Sequence, residues 1–255
     1  MPDALFEHPR LVAIYDALDA DRSDLLVYAA LAEEVGARRV LDVGCGTGTF
    51  ALLLADREIE VTGLDPAAGS LTVARAKPGS DRVRSIHGDA GHLPAMTVDL
   101  ATMTGNVAQA IAEPADWDQT LSAVHDVLRP GGLLVFETRD PALRGWEQWT
   151  RAATDRITEI PGVGPVRTWS ELIQVELPLV RLRGTWVFQS DGATLTSDST
   201  LRFRDRDEIA ADLHGHGYLI DDVRDAPDRP GAEFVFLARR PDRLSPTARA
   251  QADAH

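Results

Sequence analysis

One cysteine, one lysine and one asparagine stand among 255 residues. A lone Cys45 excludes an intramolecular disulfide and a multi-thiolate zinc site. A lone Lys77 leaves a single side-chain amine for Schiff-base chemistry, and its place before Pro78-Gly79 reads as an exposed loop. No apolar run approaches the roughly 18 residues that a membrane span needs. The start, Met1-Pro2-Asp3-Ala4-Leu5-Phe6-Glu7, lacks a basic region followed by an apolar stretch, so no secretory signal is read there and a cytoplasmic location is expected. Positive charge is scarce too. The 26 basic residues face 40 acidic ones, for a net charge of −14, which repels phosphate backbones and anionic membranes at long range. Neither a nucleic-acid nor a membrane partner is expected. No histidine pair has the spacing and acidic partner of a metal site, so no metal is expected. What remains is an ordinary globular composition, 44% hydrophobic and 26% charged, long enough for one large α/β domain.

Residues 4–35 read as helical, in two apolar stripes. A short run, Arg39-Val40-Leu41-Asp42-Val43, is β-branched and stopped by glycines, the pattern of a buried strand. Helix and strand then alternate through residues 48–57, 59–64, 66–76, 83–87, 98–103, 116–128 and 133–138, which predicts a parallel sheet with helices on both faces. After Asp140 the pattern changes to alternating strands over 170–204, with Ser190-Asp191-Gly192-Ala193 as a hairpin turn. Helix and strand return over 207–238. The expected organisation is one domain: a helical lid at 1–36, a core at 37–139, an inserted antiparallel lobe at 140–204, a return to the sheet at 205–240 and a tail at 241–255.

The strongest local signal is Asp42-Val43-Gly44-Cys45-Gly46-Thr47-Gly48-Thr49, which follows a strand and opens a helix. Glycines there let backbone N–H groups and a ligand approach closely. The dinucleotide fingerprint needs a glycine at the sixth position, where Thr49 stands, and the phosphate loop needs a lysine that is absent. Asp65 ends the second strand about 20 residues on, where a carboxylate accepts from ribose hydroxyls. Asp89 follows the third strand, where a carboxylate accepts from an adenine amino group. In an open parallel sheet, ligands bind at these carboxyl ends.

The glycine segment resembles motif I of the class I S-adenosylmethionine-dependent methyltransferases. Gly63-Leu64-Asp65-Pro66, Gly88-Asp89-Ala90 and Leu128-Arg129-Pro130-Gly131-Gly132-Leu133-Leu134 resemble that family's next three motifs, in the same order. The resemblance implies a Rossmann-like sheet of seven strands, the last antiparallel, with S-adenosylmethionine as cofactor and S-adenosylhomocysteine as product. It implies that Gly44, Cys45 and Gly46 line the methionine and ribose part, that Asp65 and Pro66 meet the ribose, and that Gly88, Asp89 and Ala90 meet the adenine. Asp42 orients the loop or reaches the methionine amino group, and Thr104, Gly105 and Asn106 face the sulfonium and the acceptor. Asn106 reads equally well as a left-handed loop residue.

After the fourth strand the segment Thr104-Gly105-Asn106-Val107-Ala108-Gln109 lacks the prolines and aromatic of DNA amino-methyltransferases. The arrangement resembles the small-molecule branch, and the expected activity is methyl transfer to an O, N or C atom of a small organic molecule, with secondary metabolism as one setting and a monomer or homodimer as the assembly. Positioning and water exclusion can supply most of the acceleration, so no triad is required. Tyr15, Asn106 and Arg139 are the candidate catalytic residues, Tyr15 doubling as a lid contact to the cofactor. Arg139, Trp146 and Trp186 are the candidate acceptor-binding residues, although tryptophans in an insertion also serve as its own core. Two other readings stay open: a protein that binds S-adenosylmethionine without transferring a methyl group, and a nicotinamide-dependent oxidoreductase.

Overall fold

A computed structural model describes residues 2–226 and 229–242. The expected tail falls, from residue 243 on, outside the described residues. The chain opens with α1 (Ala4–Glu7), α2 (Pro9–Val12), α3 (Tyr15–Leu18) and α4 (Asp24–Glu34), then β1 (Arg39–Val43), α5 (Thr49–Ala55), β2 (Glu60–Asp65), α6 (Ala68–Ala76), β3 (Val83–His87), β4 (Val98–Met103), α7 (Val107–Ala110), α8 (Pro114–Val127) and β5 (Leu128–Arg139). There follow α9 (Arg151–Thr154), β6 (Arg156–Ile160), β7 (Gly164–Glu176), β8 (Leu179–Phe188), β9 (Thr194–Arg202), α10 (Arg206–Gly215), β10 (Leu219–Asp225) and β11 (Glu233–Arg239).

Two sheets result. The first runs β10-β11-β5-β4-β1-β2-β3, and the second β6-β7-β8-β9. The ladders β1–β2, β1–β4, β2–β3 and β4–β5 are parallel, while β11 lies antiparallel between β5 and β10. Successive strand residues point to opposite faces, so apolar runs feed two cores. Val40, Leu100, Val135 and Val235 pack under α4 and α5 with Tyr28 and Phe50. Leu41, Ala101, Phe136 and Phe236 pack under α8 and α10 with Leu121 and Leu213. The expected seven-stranded sheet and its antiparallel last strand are both present.

The N-terminal region departs from the two helices expected. Residues 4–18 form three one-turn helices, because Pro9 cannot continue a helix and opens α2 instead, where the His8 ring accepts from Arg10 N. Leu11 and Ile14 leave this broken segment to pack on Ile160, Val166, Trp186 and Phe188 of the second sheet. The inserted sheet is also larger than the alternation suggested, gaining β6 and long arms on β7 and β8. Its far end has its own cluster, Trp146, Val180 and Phe203. Trp146 is 1% exposed and lies edge-on to Phe203 at 4.6 Å. Truncating it leaves a void that a small lobe cannot refill. Trp146→Ala is expected to cost about 3–5 kcal/mol in denaturant unfolding, and the same change at half-buried Trp149 less.

Candidate functional site

The turn between β1 and α5 is anchored from below. Gly44 N and Cys45 N both donate to Leu64 O, at 2.7 and 3.1 Å. A Cβ on Gly44, at φ +71°, would meet Val107 Cγ2 at 2.4 Å, so this glycine makes room for α7. Cys45 turns its thiol onto β2, where a Cβ at Gly63 would meet its Sγ at 2.8 Å, and burial pushes the thiol pKa up. Gly46, at φ +53°, is different: a Cβ there would meet nothing within 4 Å. The open side of the turn therefore lies over Gly46.

One buried carboxylate, Asp65, borders that space, and a second, Asp42, lies near enough to feel its charge. Asp65 Oδ2 accepts from Gly46 N at 2.7 Å and Oδ1 from Ala67 N at 2.8 Å. Burial raises its pKa and these two N–H groups oppose the rise. Each oxygen keeps a second lone pair for a further donor. Asp42, 1% exposed, accepts from Thr102 Oγ1 at 3.2 Å on Oδ1. Its Oδ2 is buried and has no partner among the described residues. Burial carries its pKa up to about 7, the Thr102 hydrogen bond pulls it back and the Asp65 charge adds to it. A buried acceptor without a donor is costly, and a ligand donor would satisfy it.

At the ends of β2 and β3, Gly88 N donates to Asp65 O, and His87 Nε2 lies 3.1 Å from Pro66 O. Asp89 caps the following 3-10 turn, Oδ1 accepting from Gly91 N and lying 2.9 Å from His92 Nδ1. Pro66, Gly88, Asp89 and Ala90 thus come together beside Asp65.

The N-terminal segment covers this region. Glu7 accepts from Ala68 N and Gly69 N at the start of α6, and Ser70 Oγ donates to Phe6 O. Asp16 Oδ1 accepts from Thr47 Oγ1 at 2.6 Å, and its Oδ2 pairs with Lys77 Nζ at 2.6 Å. Lys77 also donates to Thr49 Oγ1. Lys77 is therefore not the exposed loop residue that its neighbours suggested: it ends α6 with a mostly covered side chain that joins the N-terminal segment to the glycine turn. Tyr15 lies tilted against Phe6, ring centroids 5.8 Å apart. Its phenol pKa is raised by burial first, Arg22 opposes, and Asp19, Asp16 and Asp65 add to the rise. Arg22, which no motif marked, acts on both Tyr15 and Asp42.

On the other side, Gly105 and Asn106 leave β4 at φ +73° and +61°. Asn106 thus adopts the left-handed turn, and its side chain is held away: Nδ2 donates to both oxygens of Glu233 at 3.3 Å. Arg139 donates to Gln109 Oε1 and lies 3.5 Å from Glu233. A cavity of about 300 Å³ opens here, lined by Arg139, Asp140, Leu143, Trp149, Arg229 and Glu233. Trp146 and Trp186 do not reach it. Both were candidates for acceptor binding, and both are taken by the packing of the lobe, because their faces of the sheet and turn point inward. Trp149 is the tryptophan on the cavity.

The Asp16 pair is partly exposed, and its loss is expected to be modest. Asp16→Ala should speed amide exchange over residues 11–18 about fivefold, measured by hydrogen–deuterium exchange. Unchanged protection would assign the hold to Glu7 and to Leu11 and Ile14 packing alone.

Residues 40–132 match the family described as a methyltransferase domain. The chain is 36% identical over 133 residues to the demethylmenaquinone methyltransferase of Deinococcus radiodurans, a match covering 51% of this chain and 54% of that protein. It spans about half the length of the curated relatives it matches. Among solved structures, an S-adenosylmethionine-dependent methyltransferase from Clostridium acetobutylicum superposes with a TM-score of 0.71 at 20% identity, covering 91% of this chain and 98% of that one. The SAM-bound amino pentose methyltransferase of Micromonospora echinaspora gives 0.71 at 24%, covering 89% and 96%. Residues 40–132 thus match a methyltransferase domain, and the chain shares the fold of these solved methyltransferases.

Proposed function

We propose that this protein binds S-adenosylmethionine over Gly46 and transfers its methyl group to an O, N or C atom of a small organic molecule. The observation that carries this reading is an open glycine bordered by Asp65 with spare lone pairs, with Asp42 close to Asp65 and its Oδ2 buried without a donor among the described residues. Such an acceptor set suits a ribose diol and a cationic amino group, and suits a pyrophosphate poorly. Asp65 and Pro66 would hold the ribose, Asp42 the amino group, and Gly88, Asp89 and Ala90 the adenine. When bound, the cofactor supplies an electrophilic methyl on a good leaving group.

The chain's own residues then have three tasks. Asp42, Asp65 and the turn orient the ligand. The N-terminal segment, latched by Asp16 and Lys77 with Tyr15 beneath it, excludes water as a lid. The loop at 104–106 and the lobe at 140–204 receive the acceptor, with Arg139 and Trp149 on its cavity. Acceptors of the similar proteins include demethylmenaquinone and an amino pentose, going by their names, so a small organic acceptor is the class we carry over. A screen of small-molecule acceptors with methyl-labelled cofactor tests transfer. Binding without labelled product across a broad panel would favour a binding role.

Asp65→Ala should weaken S-adenosylhomocysteine binding by about 1–3 kcal/mol, because two hydroxyls lose a charged acceptor. Calorimetry decides, and an unchanged affinity would remove the ribose assignment.

Asp42 gives a second, pH-dependent signature. Its raised pKa, about 7, means that the folded protein holds the carboxyl protonated at mildly acid pH. The native state then binds a proton that the unfolded chain has released, so this group's contribution to stability falls as pH rises from about 4 to about 7. A cationic amino group against Oδ2 favours the ionised form. Cofactor binding at about pH 6 should therefore release close to one proton, and progressively less as pH rises through about 7. Calorimetry in buffers of different ionisation enthalpy measures this, and no buffer dependence at pH 6 would separate Asp42 from the amino group.

A further inference from the structure

Along β5 the residues facing α4 and α5 run Leu133, Val135, Glu137. The first two are core aliphatics, and the third continues the same column as a carboxylate only 6% exposed. A charge in such a place is retained only where hydrogen bonds compensate its burial. The donors come from two directions. Glu137 Oε1 accepts from Gly105 N at 2.6 Å and from Asn106 N at 3.2 Å. Its other oxygen, Oε2, accepts from the hydroxyl of Tyr28 on α4, a side chain 3% exposed and edge-on to Phe50.

Gly105 and Asn106 are consecutive residues with positive φ, a backbone that glycine adopts freely and asparagine more readily than other side chains. Their successive N–H groups converge on one side and form a concavity that takes an anion. Here the anion is the protein's own Glu137. With the turn pinned from beneath, Asn106 is free to reach sideways to Glu233, and Val107 is delivered onto Gly44.

We infer that Glu137, oriented by Tyr28, is the positioning residue of the loop 104–106 and fixes that loop against the methyl group being transferred. The inference rests on the reading above that this loop faces the sulfonium. Tyr28 and Glu137 touch neither ligand in this scheme; they act through the two backbone N–H groups.

Two readouts test it on the full chain. In Glu137→Ala the amides of Gly105 and Asn106, followed residue by residue, should exchange about tenfold faster. Glu137→Gln keeps a carbonyl oxygen for the loop and should restore most of the protection. By calorimetry, Glu137→Ala should weaken S-adenosylmethionine about tenfold while leaving S-adenosylhomocysteine, which lacks the methyl group, within about twofold. A general loss of structure would weaken both alike. Tyr28→Phe removes one oxygen, shifts both readouts the same way by a smaller factor, and decides alone should Glu137→Ala not fold. Unchanged exchange at 105 and 106, or parallel loss of both ligands, would overturn the proposal. If the unaltered protein bound neither ligand, the cofactor reading would fall, and the amide exchange would still decide what Glu137 does.

Discussion

Val107 occupies the space that Gly44 leaves empty, and the rest of the site is arranged around that contact. It seats a one-turn helix, α7, directly on the glycine turn. Four residues then hold α7 in place. Arg204 donates to Ala108 O and Ile111 O and stacks at 4.6 Å on Trp117. Arg139 binds Gln109, Glu233 binds Asn106, and Glu137 binds the backbone before the helix. Arg204 comes from the end of the inserted lobe, Arg139 from β5 and Glu233 from β11. A helix too short to be stable alone is thus made rigid by parts of the chain far apart in sequence. Burial lowers the Arg204 pKa to about 10, which still leaves it charged at neutral pH and able to bind the orphan carbonyls of α7.

The N-terminal segment works on the opposite side by the same principle. Its helices are single turns with no independent stability. Polar contacts tie it to α6 and to the glycine turn, while Leu11 and Ile14 are buried against the second sheet. Leu5 N donates to Ser197 Oγ and Arg10 pairs with Asp191, so the same segment also grips β9 and the turn before it. Core and lobe share one strap.

The glycine turn and the strand ends were legible in the sequence because they rest on local rules: strand period, glycine spacing and acidic residues just past a strand; the antiparallel last strand followed only from the family resemblance. What escaped was set by long-range packing. Trp146 and Trp186 offered no local sign of which face they would take, and only the sheet's register turns them inward. The one-turn breaks around Pro9 left the helical period intact, so residues 4–18 read as a longer helix. Glu137 did carry a sign, a single charge ending the run Leu133-Leu134-Val135-Phe136. Its partners, Tyr28 and the loop amides, lie 109 and 32 residues away, and no spacing rule connects them. Lys77 was misread for the same reason: Pro78-Gly79 describe its backbone and say nothing of Asp16.

Lys77 carries the chain's single side-chain primary amine, and that amine lies in the latch between the N-terminal segment and the glycine turn. An ammonium held by a carboxylate and a hydroxyl is a poor nucleophile; released to water, it becomes an ordinary reactive lysine. Amine-selective acylation of the folded protein is thereby directed, among side chains, to one atom, and its rate would rise were those contacts to be released. The near-absence of lysine from this sequence thus leaves a single side-chain amine to report on the contacts between the strap and the glycine turn.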